Sequence, residues 1–189
     1  YEKALKYFKK SSLIRYIPDD MNNLMAQCFE SMENYEEALT YFNSYLISNP
    51  TDTLAYWKRG RAYYEGDQWA LANNDFEVIA QLGAPPDSFY KIYGRSLFES
   101  GNYGQAVILL SAAIKLDSSD QSNLFLRAKG YAHIQDFKNS LLDMETYSQG
   151  NDSLRMKNLF VLNREVNDTL RNVFWEEAFE KDSLDSFYA

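Results

Sequence analysis

The sequence repeats itself with a constant period. Aromatic side chains return every 34 residues, at Tyr35, Trp69, Tyr103 and Phe137. A small side chain follows each of them by three residues and an apolar one by seven: Ala38, Ala72, Ala106 and Ser140, then Phe42, Phe76, Leu110 and Met144. Another small residue keeps the same interval upstream, at Ala26, Gly60, Gly94 and Ala128. A fixed period of about 20–50 residues is the signature of stacked structural repeats.

Each period holds two helices. Apolar positions recur within it at three and four residues, which is the spacing of one face of an α-helix. Turn-forming pairs interrupt this pattern in the middle of each period, at Glu33-Asn34, Gly66-Asp67, Gly101-Asn102 and Gln135-Asp136. Further breaks fall near residues 49–50, 84–86, 117–120 and 150–152. We therefore expect stacked antiparallel helix pairs, in which the small residue of the first helix lets the second helix pack closely.

The composition agrees with helices and limits the chemistry. Only 8 Gly and 4 Pro occur in 189 residues, too few for the turns of an all-β protein. The net charge of −8 argues against non-specific binding of nucleic acid, and no apolar run approaches the roughly 20 residues of a membrane-spanning helix. A single cysteine, Cys28, and a single histidine, His133, provide neither a metal set nor a nucleophilic motif. We expect no catalytic residues, no metal site and no cofactor.

The order of a small residue, an aromatic residue, and then Ala and Phe resembles the tetratricopeptide repeat. This resemblance implies an all-α fold, a right-handed α-solenoid or superhelix of stacked antiparallel helix pairs. It divides most of the chain into four full repeats, at residues 19–52, 53–86, 87–120 and 121–154.

Both ends depart from this pattern. Tyr1, Ala4 and Phe8 lie one period before their counterparts, so residues 1–18 match the second helix of a truncated repeat, and we expect the chain to be part of a longer protein. Residues 155–189 lose the register while staying apolar, which is typical of terminal repeats. We expect capping helices over 153–166 and 168–181, with the aromatic tail docked on them or serving as a ligand for a partner.

A few positions within the repeats also differ from the family pattern. Arg59 and Arg127 replace an apolar residue, and the bulky Tyr45, Ile79 and Tyr147 replace a small one. We expect irregular local packing at these positions.

The resemblance also implies where a partner would lie. Stacked pairs rotate from one to the next, so the first helices line a concave groove, and in the family the residues just after the buried ones face it. The period carries these positions onto Asn23, Gln27, Trp57, Arg61, Tyr64, Lys91, Arg95, Phe98, Phe125 and Lys129. Basic groups among exposed rings suit an extended acidic or carboxylate-bearing peptide. The alternative is an ordinary solvated face, in which arginine stems shield the rings.

Two narrower functions fit less well. Some co-chaperones of this family grip a terminal carboxylate with Lys and Asn on one repeat, Asn on the next, and Lys and Arg on a third. The matching positions here hold Asn23, Gln27, Lys58, Ser88 and Ile92, which is not that clamp. Single-stranded nucleic acid could stack on the rings, but four cations in a chain of net charge −8 make a weak case.

We therefore expect a protein–protein interaction module, an adaptor or scaffold that binds a partner protein or peptide in the concave groove, with an acidic peptide among the candidates. The alternative is a structural subunit that contacts its partners through the convex face or the C-terminal segment, without a groove ligand. The Asn-, Tyr-, Ser- and Asp-rich repeats resemble tetratricopeptide proteins of bacterial cell envelopes. The sequence leaves the partner, the compartment and the oligomeric state open.

Overall fold

The computed structural model of the chain describes residues 1–11, 19–83, 85–149, 151, 154 and 157–158. The regular structure within these ranges is helical throughout. The helices are α1 (Glu2–Ser11), α2 (Asp19–Glu30), α3 (Tyr35–Ser48), α4 (Thr53–Glu65), α5 (Trp69–Leu82), α6 (Phe89–Glu99), α7 (Tyr103–Leu116), α8 (Gln121–His133) and α9 (Phe137–Ser148). Among the described residues, no helix is both long and apolar enough to cross a membrane.

The chain divides into two compact units, Tyr1–Phe89 and Tyr90–Ala189. The first unit contains α1 to α5, and the second contains α7 to α9 with all of α6 except its first residue. Each of the four predicted repeats contains one helix pair. The predicted capping helices and tail lie outside the described residues, apart from 154 and 157–158.

In the first unit each helix packs against the next from α1 to α4, as far as they are described, and α4 packs against α5. Small residues decide how closely the pairs approach. A Cβ atom added to Gly60 would lie only 2.7 Å from Cε1 of Phe76, and Ala26 is fully buried in one cluster with Phe42. The close-packing role predicted for these small residues is confirmed here.

The second unit follows the same plan. Helix α6 meets α7 through an apolar cluster that includes Leu97, Ala106 and Leu110, and α8 packs against both α7 and α9. A Cβ atom on Gly94 would lie 3.1 Å from Cγ of Leu110, which is again a close approach of two helices.

The turn inside each repeat has one geometry throughout. Residues with positive φ return with the period of the sequence: Glu33 at 58°, Asp67 at 56°, Gly101 at 82° and Gln135 at 66°. The next residue donates its backbone N–H to a carbonyl five positions back in every case, for example Asn102 to Leu97 at 2.8 Å. This is the hydrogen bond of a Schellman motif, which ends a helix with a left-handed residue.

The first helices of the second and fourth repeats, α4 and α8, each begin after an aspartate cap. The side chain of Asp52 accepts a hydrogen bond from the backbone N–H of Ala55, and that of Asp120 accepts one from Ser122. The bulky Tyr45 fits because its hydroxyl donates a 2.8 Å hydrogen bond to Asp52.

Arg59 and Arg127, where we expected irregular packing, lie within the continuous helices α4 and α8. Each guanidinium is hydrogen-bonded to a buried carboxylate on the following helix, Arg59 to Asp75 and Arg127 to Asp143, at shortest distances of 2.6 and 2.7 Å. Each arginine is therefore compensated by a carboxylate on the following helix.

Candidate partner-binding surface

Four of the predicted site residues come together at one pocket of about 220 Å³ in the second unit. Lys91 and Arg95 reach it from α6, and Phe125 and Lys129 reach it from α8. These positions are one period apart, so the repeat brings equivalent faces of successive first helices side by side. The remaining lining residues are Glu99, Ser122, Asn123, Leu126 and Tyr147.

The cations of α6 each lie beside a carboxylate of the same unit. The ammonium of Lys91 is 2.5 Å from Oδ2 of Asp120, and this hydrogen bond is the main cause that lowers the pKa of the Asp120 carboxyl. Nε of Arg95 is 3.9 Å from Glu99, four residues later on the same helix. Both basic side chains remain about half exposed. Such exposed ion pairs are worth at most about 1 kcal/mol, so an incoming carboxylate can exchange with them.

Lys129 is held by aromatic faces. Its ammonium lies 5.1 Å from the ring centroid of Phe98 and 6.0 Å from that of Phe125, within range of a cation–π interaction. The ring of Phe125 is half-buried and packs against Tyr147 at 5.3 Å. The pocket thus combines positive charge with an apolar wall from α8 and α9.

Phe98 has a different place from the one the sequence predicted. The expectation of an exposed ring is wrong, because the residue is buried against Tyr103 at 5.2 Å and His133 at 5.8 Å. Its ring supports the ammonium of Lys129 and is not available as an open face for a partner.

Sequence reasoning missed Asn123, a buried residue that lines the pocket. The equivalent positions of the other repeats carry apolar side chains: Met21, Ala55 and Phe89. A polar residue at an otherwise apolar position of the period was the signal that could have found it. Buried carboxamides need hydrogen-bond partners, which makes this position a second polar feature of the pocket.

The equivalent face of the first unit is mixed in charge. On α2, the side-chain amide of Gln27 donates a 2.9 Å hydrogen bond to Asn23. One turn on, burial raises the pKa of Glu30, although Lys58 and Arg61 lower it. Nε of Arg61 is buried without a hydrogen-bond partner in the described part of the chain. This face therefore holds an acid and two bases close together.

The aromatic residues predicted on α4 are largely enclosed. Trp57 is only 7% exposed, with ring centroids 5.6 Å from Phe76 and 6.2 Å from Phe89, so the expectation of an exposed indole is wrong. Tyr64 is half-buried and meets Trp69 edge to face at 5.2 Å. The rings of Trp57 and Tyr64 therefore do not form the open aromatic surface that the sequence suggested for α4.

The described residues contain no group of three or more histidine, cysteine, aspartate or glutamate side chains arranged to hold a metal ion. The surface at the pocket is suited to non-covalent recognition, since it offers basic groups, a carboxamide, a hydroxyl and apolar contacts.

Comparison with known proteins agrees with this architecture. A family model described as Tetratricopeptide repeat matches residues 23–80. No curated protein matches the chain significantly. Among solved structures, YrrB, a tetratricopeptide repeat protein with an unusual peptide-binding site, is 15% identical with a TM-score of 0.63, covering 89% of this chain and 96% of that chain.

Two further solved structures share the fold. MamA from Desulfovibrio magneticus RS-1 is 16% identical with a TM-score of 0.64, covering 90% of this chain and 97% of that chain. A tetratricopeptide repeat protein from Parabacteroides merdae is 16% identical with a TM-score of 0.53, covering 93% of this chain and 75% of that chain. Residues 23–80 thus match the tetratricopeptide repeat family, and the chain shares the fold of these structures, a right-handed α-solenoid of stacked helix pairs.

Proposed function

We propose that this chain holds a segment of a partner protein against the first helices of its repeats, as an adaptor or scaffold in a multiprotein complex. The fold is that of a protein–protein interaction module. One structure of the same fold, YrrB, has a peptide-binding site, and the proposal extends peptide binding to this chain.

The observation that carries the proposal is the pocket of the second unit. Three cations, Lys91, Arg95 and Lys129, converge there, with Asp120 and Glu99 as the neighbouring carboxylates. The local balance is thus one positive charge in a chain whose net charge is −8. Opposite charge attracts a partner and fixes its orientation, so an acidic peptide segment is the partner that this pocket fits best.

The side walls of the pocket add a second requirement. Phe125, Leu126 and Tyr147 offer apolar contact next to the cations. A guanidinium can hold a carboxylate through two parallel hydrogen bonds, while an apolar side chain of the partner displaces water from the wall. We expect the bound segment to carry an Asp or Glu close to a Leu, Phe or Tyr.

The test compares two pairs of charge reversals in the full chain. Arg95→Glu with Lys129→Glu removes the cations of the pocket, whereas Lys115→Glu with Lys138→Glu makes the same change in charge at exposed sites outside it. Binding is measured by fluorescence polarisation with labelled decapeptides that combine Asp or Glu with Leu or Phe. A second set of peptides carries Asn or Gln in place of every acid.

We expect the acidic peptides to bind the natural chain more tightly than the amide set, and the pocket variant to lose at least about tenfold in affinity, or roughly 1.4 kcal/mol. The control pair should retain binding. Equal loss in both variants would mean that net charge alone drives binding and would contradict a site at this pocket. A steep fall of affinity with salt for single-stranded DNA, absent for peptides, would favour nucleic acid instead.

One observation favours the alternative of a scaffold that uses its second helices. Ile108 on α7 and Leu142 on α9 are 68% and 52% exposed and occupy equivalent positions one period apart. Exposed apolar side chains in register suit contact with another protein surface. Ile108→Asp with Leu142→Asp should abolish assembly if this face is used and leave peptide binding unchanged.

A further inference from the structure

Arg59 lies at the centre of a cluster that joins three helices of the first unit. Its Nε and Nη2 donate hydrogen bonds of 2.8 and 2.6 Å to the two carboxylate oxygens of Asp75 on α5. Its Nη1 donates a 2.8 Å hydrogen bond to Oδ1 of Asn43 on α3. The guanidinium therefore links its own helix, α4, to the helix before it and to the helix after it.

The second unit contains the same cluster 68 residues later. Nε and Nη2 of Arg127 each donate a 2.7 Å hydrogen bond to the carboxylate of Asp143 on α9. Nη1 donates a 2.9 Å hydrogen bond to Oγ of Ser111 on α7. A tyrosine four residues after each arginine lies against the guanidinium, Tyr63 at 5.9 Å and Tyr131 at 5.7 Å. The arginine, the aspartate, the polar acceptor on the preceding helix and the tyrosine thus all recur after 68 residues.

Both carboxylates are deeply buried, Asp75 at 3% and Asp143 at 5% exposure. The hydrogen bonds to Asp143 raise the pKa of Arg127, as expected of a cation stabilised by its partner. Removing one member of a buried ion pair strands the other charge without compensation, while replacing both by apolar residues can be neutral. We call each arginine–aspartate cluster a lock, because the loss of either charged member would leave the other buried without its partner.

The locks occupy alternate repeats. The arginine position reads Met25, Arg59, Tyr93 and Arg127, and the aspartate position reads Tyr41, Asp75, Leu109 and Asp143. Each arginine reaches back into the preceding repeat, through Asn43 or Ser111. Repeats one and two are joined in this way, and so are repeats three and four. Each compact unit of the chain contains one such lock.

We propose that the cooperative unit of this chain is a pair of repeats, α2 to α5 and α6 to α9, each closed by one buried arginine–aspartate lock. In a solenoid of equal repeats, stability is a sum of single-repeat and nearest-neighbour contributions. Here the arginine hydrogen bonds that cross from α4 to α3, and from α8 to α7, add to the neighbour contribution at these two boundaries. The pocket described above lies wholly within the second pair.

The test is hydrogen–deuterium exchange on the full chain, read helix by helix. Asp143→Leu leaves Arg127 buried without its carboxylate, and a disrupted buried pair should raise exchange rates by roughly 100-fold or more. We expect α6, α7, α8 and α9 to speed up by one common factor, with α2 to α5 unchanged. Faster exchange in α8 and α9 alone would make the single repeat the unit, and one common factor from α2 to α9 would make it the whole array. Either result overturns the proposal.

Two further variants separate coupling from stability and guard against failure to fold. Arg127→Met with Asp143→Leu installs residues that other repeats of this chain carry at these positions, Met25 and Leu109. The hydrogen–deuterium exchange rates should return close to those of the natural chain. The pair α6 and α7 should then unfold independently of the pair α8 and α9. Ser111→Ala removes only the hydrogen bond from Arg127 to α7 and should cause the same uncoupling. Ser44→Ala, at an exposed serine on α3, is the control. Retention of one common rate across α6 to α9 in both variants would refute the lock.

Discussion

Gly60→Ala tests whether the helix pairs approach as closely as their small residues indicate. The added methyl group would lie 2.7 Å from Cε1 and 3.1 Å from Cδ1 of Phe76. Phe76 is fully buried and is held from its other sides by Trp57 at 5.6 Å and Phe89 at 6.1 Å. The ring therefore cannot move away without displacing two further aromatic residues.

The expected magnitude is a difference of two effects. Alanine in a helix interior gains about 1 kcal/mol over glycine, whereas overpacking a well-filled core costs about 1–3 kcal/mol. We expect Gly60→Ala to lose about 1 kcal/mol in free energy of unfolding, equivalent to a fall of about 2–4 °C in Tm for a chain of this size. The assay is thermal unfolding followed by far-ultraviolet circular dichroism.

Gly104→Ala is the matched control, because nothing lies within 4 Å of a Cβ atom at that helical position. It should keep the helix-propensity gain and raise Tm, by up to about 2–4 °C. Gly94→Ala, whose nearest neighbour is Leu110 at 3.1 Å, should fall between the two. If Gly60→Ala raised Tm as much as Gly104→Ala, the close contact with Phe76 would not limit the packing, and the reasoning would be refuted.

Four other substitutions test three separate parts of the structure. Gly101→Gln should lower the free energy of unfolding by about 1 kcal/mol, because the φ of 82° at this position is strained for a residue with a side chain. Gln135→Gly, at φ 66° in the equivalent turn, should raise it by about the same amount. A shift of Tm in the same direction for both variants would contradict this reasoning. Trp57→Ala should lose about 3–5 kcal/mol in denaturant unfolding as a core residue, and a loss under 1 kcal/mol would place the indole at the surface. The hydrogen bond from Lys91 lowers the pKa of Asp120, so the ionised carboxylate stabilises the folded chain. This contribution is fully present above about pH 4 and is lost as the pH falls through the lowered pKa. Asp120→Asn should therefore reduce the loss of stability at acid pH, measured as free energy of unfolding against pH.

The helix pairs and their turns were predictable because both depend on short-range features that the period repeats. A left-handed residue and a Schellman hydrogen bond end the first helix of each repeat, and the sequence marks the place with turn-forming pairs such as Gly101-Asn102. The convergence of Lys91, Arg95 and Lys129 was predictable for the same reason. Equivalent positions of adjacent repeats are neighbours in space, so a row of cations in the alignment of repeats becomes a cluster.

The arginine locks escaped prediction because single positions were compared with the family pattern. Considered alone, Arg59 is a charged residue at a position where the family pattern has an apolar one. Read in pairs, it is accompanied by an aspartate 16 residues later, and Arg127 has its aspartate at the same separation. The separation spans the end of one helix, a turn and the first half of the following helix, which local periodicity does not reveal. A buried charge is tolerated when its partner is present, so the useful signal was the joint substitution of both sites.

The burial of Trp57 shows that the face of a helix does not by itself fix exposure. Asn23, Trp57, Lys91 and Phe125 hold one register, yet the first is half-buried, the second buried, the third exposed and the fourth half-buried. These positions lie at the rim between core and solvent, where the chemistry of the side chain determines whether it points to the core or to water. A lysine extends its ammonium into water while its stem covers apolar surface, whereas an indole gains most by turning into the core.

The rim residues determine what the surface of each unit offers to a partner. At the rim the basic residues stay outside while the largest rings turn inward, so the surface left to a partner is more polar than the composition of 16% aromatic residues suggests. Binding of the proposed acidic segment at the second unit would then depend on the exchange of exposed ion pairs and on one apolar wall. Interactions between exposed charges are screened over about 8–10 Å at physiological salt. Affinity for an acidic segment should therefore fall moderately with ionic strength and retain a salt-resistant remainder from the wall of Phe125 and Tyr147; an affinity wholly insensitive to salt would mean that the cations do not contact the partner.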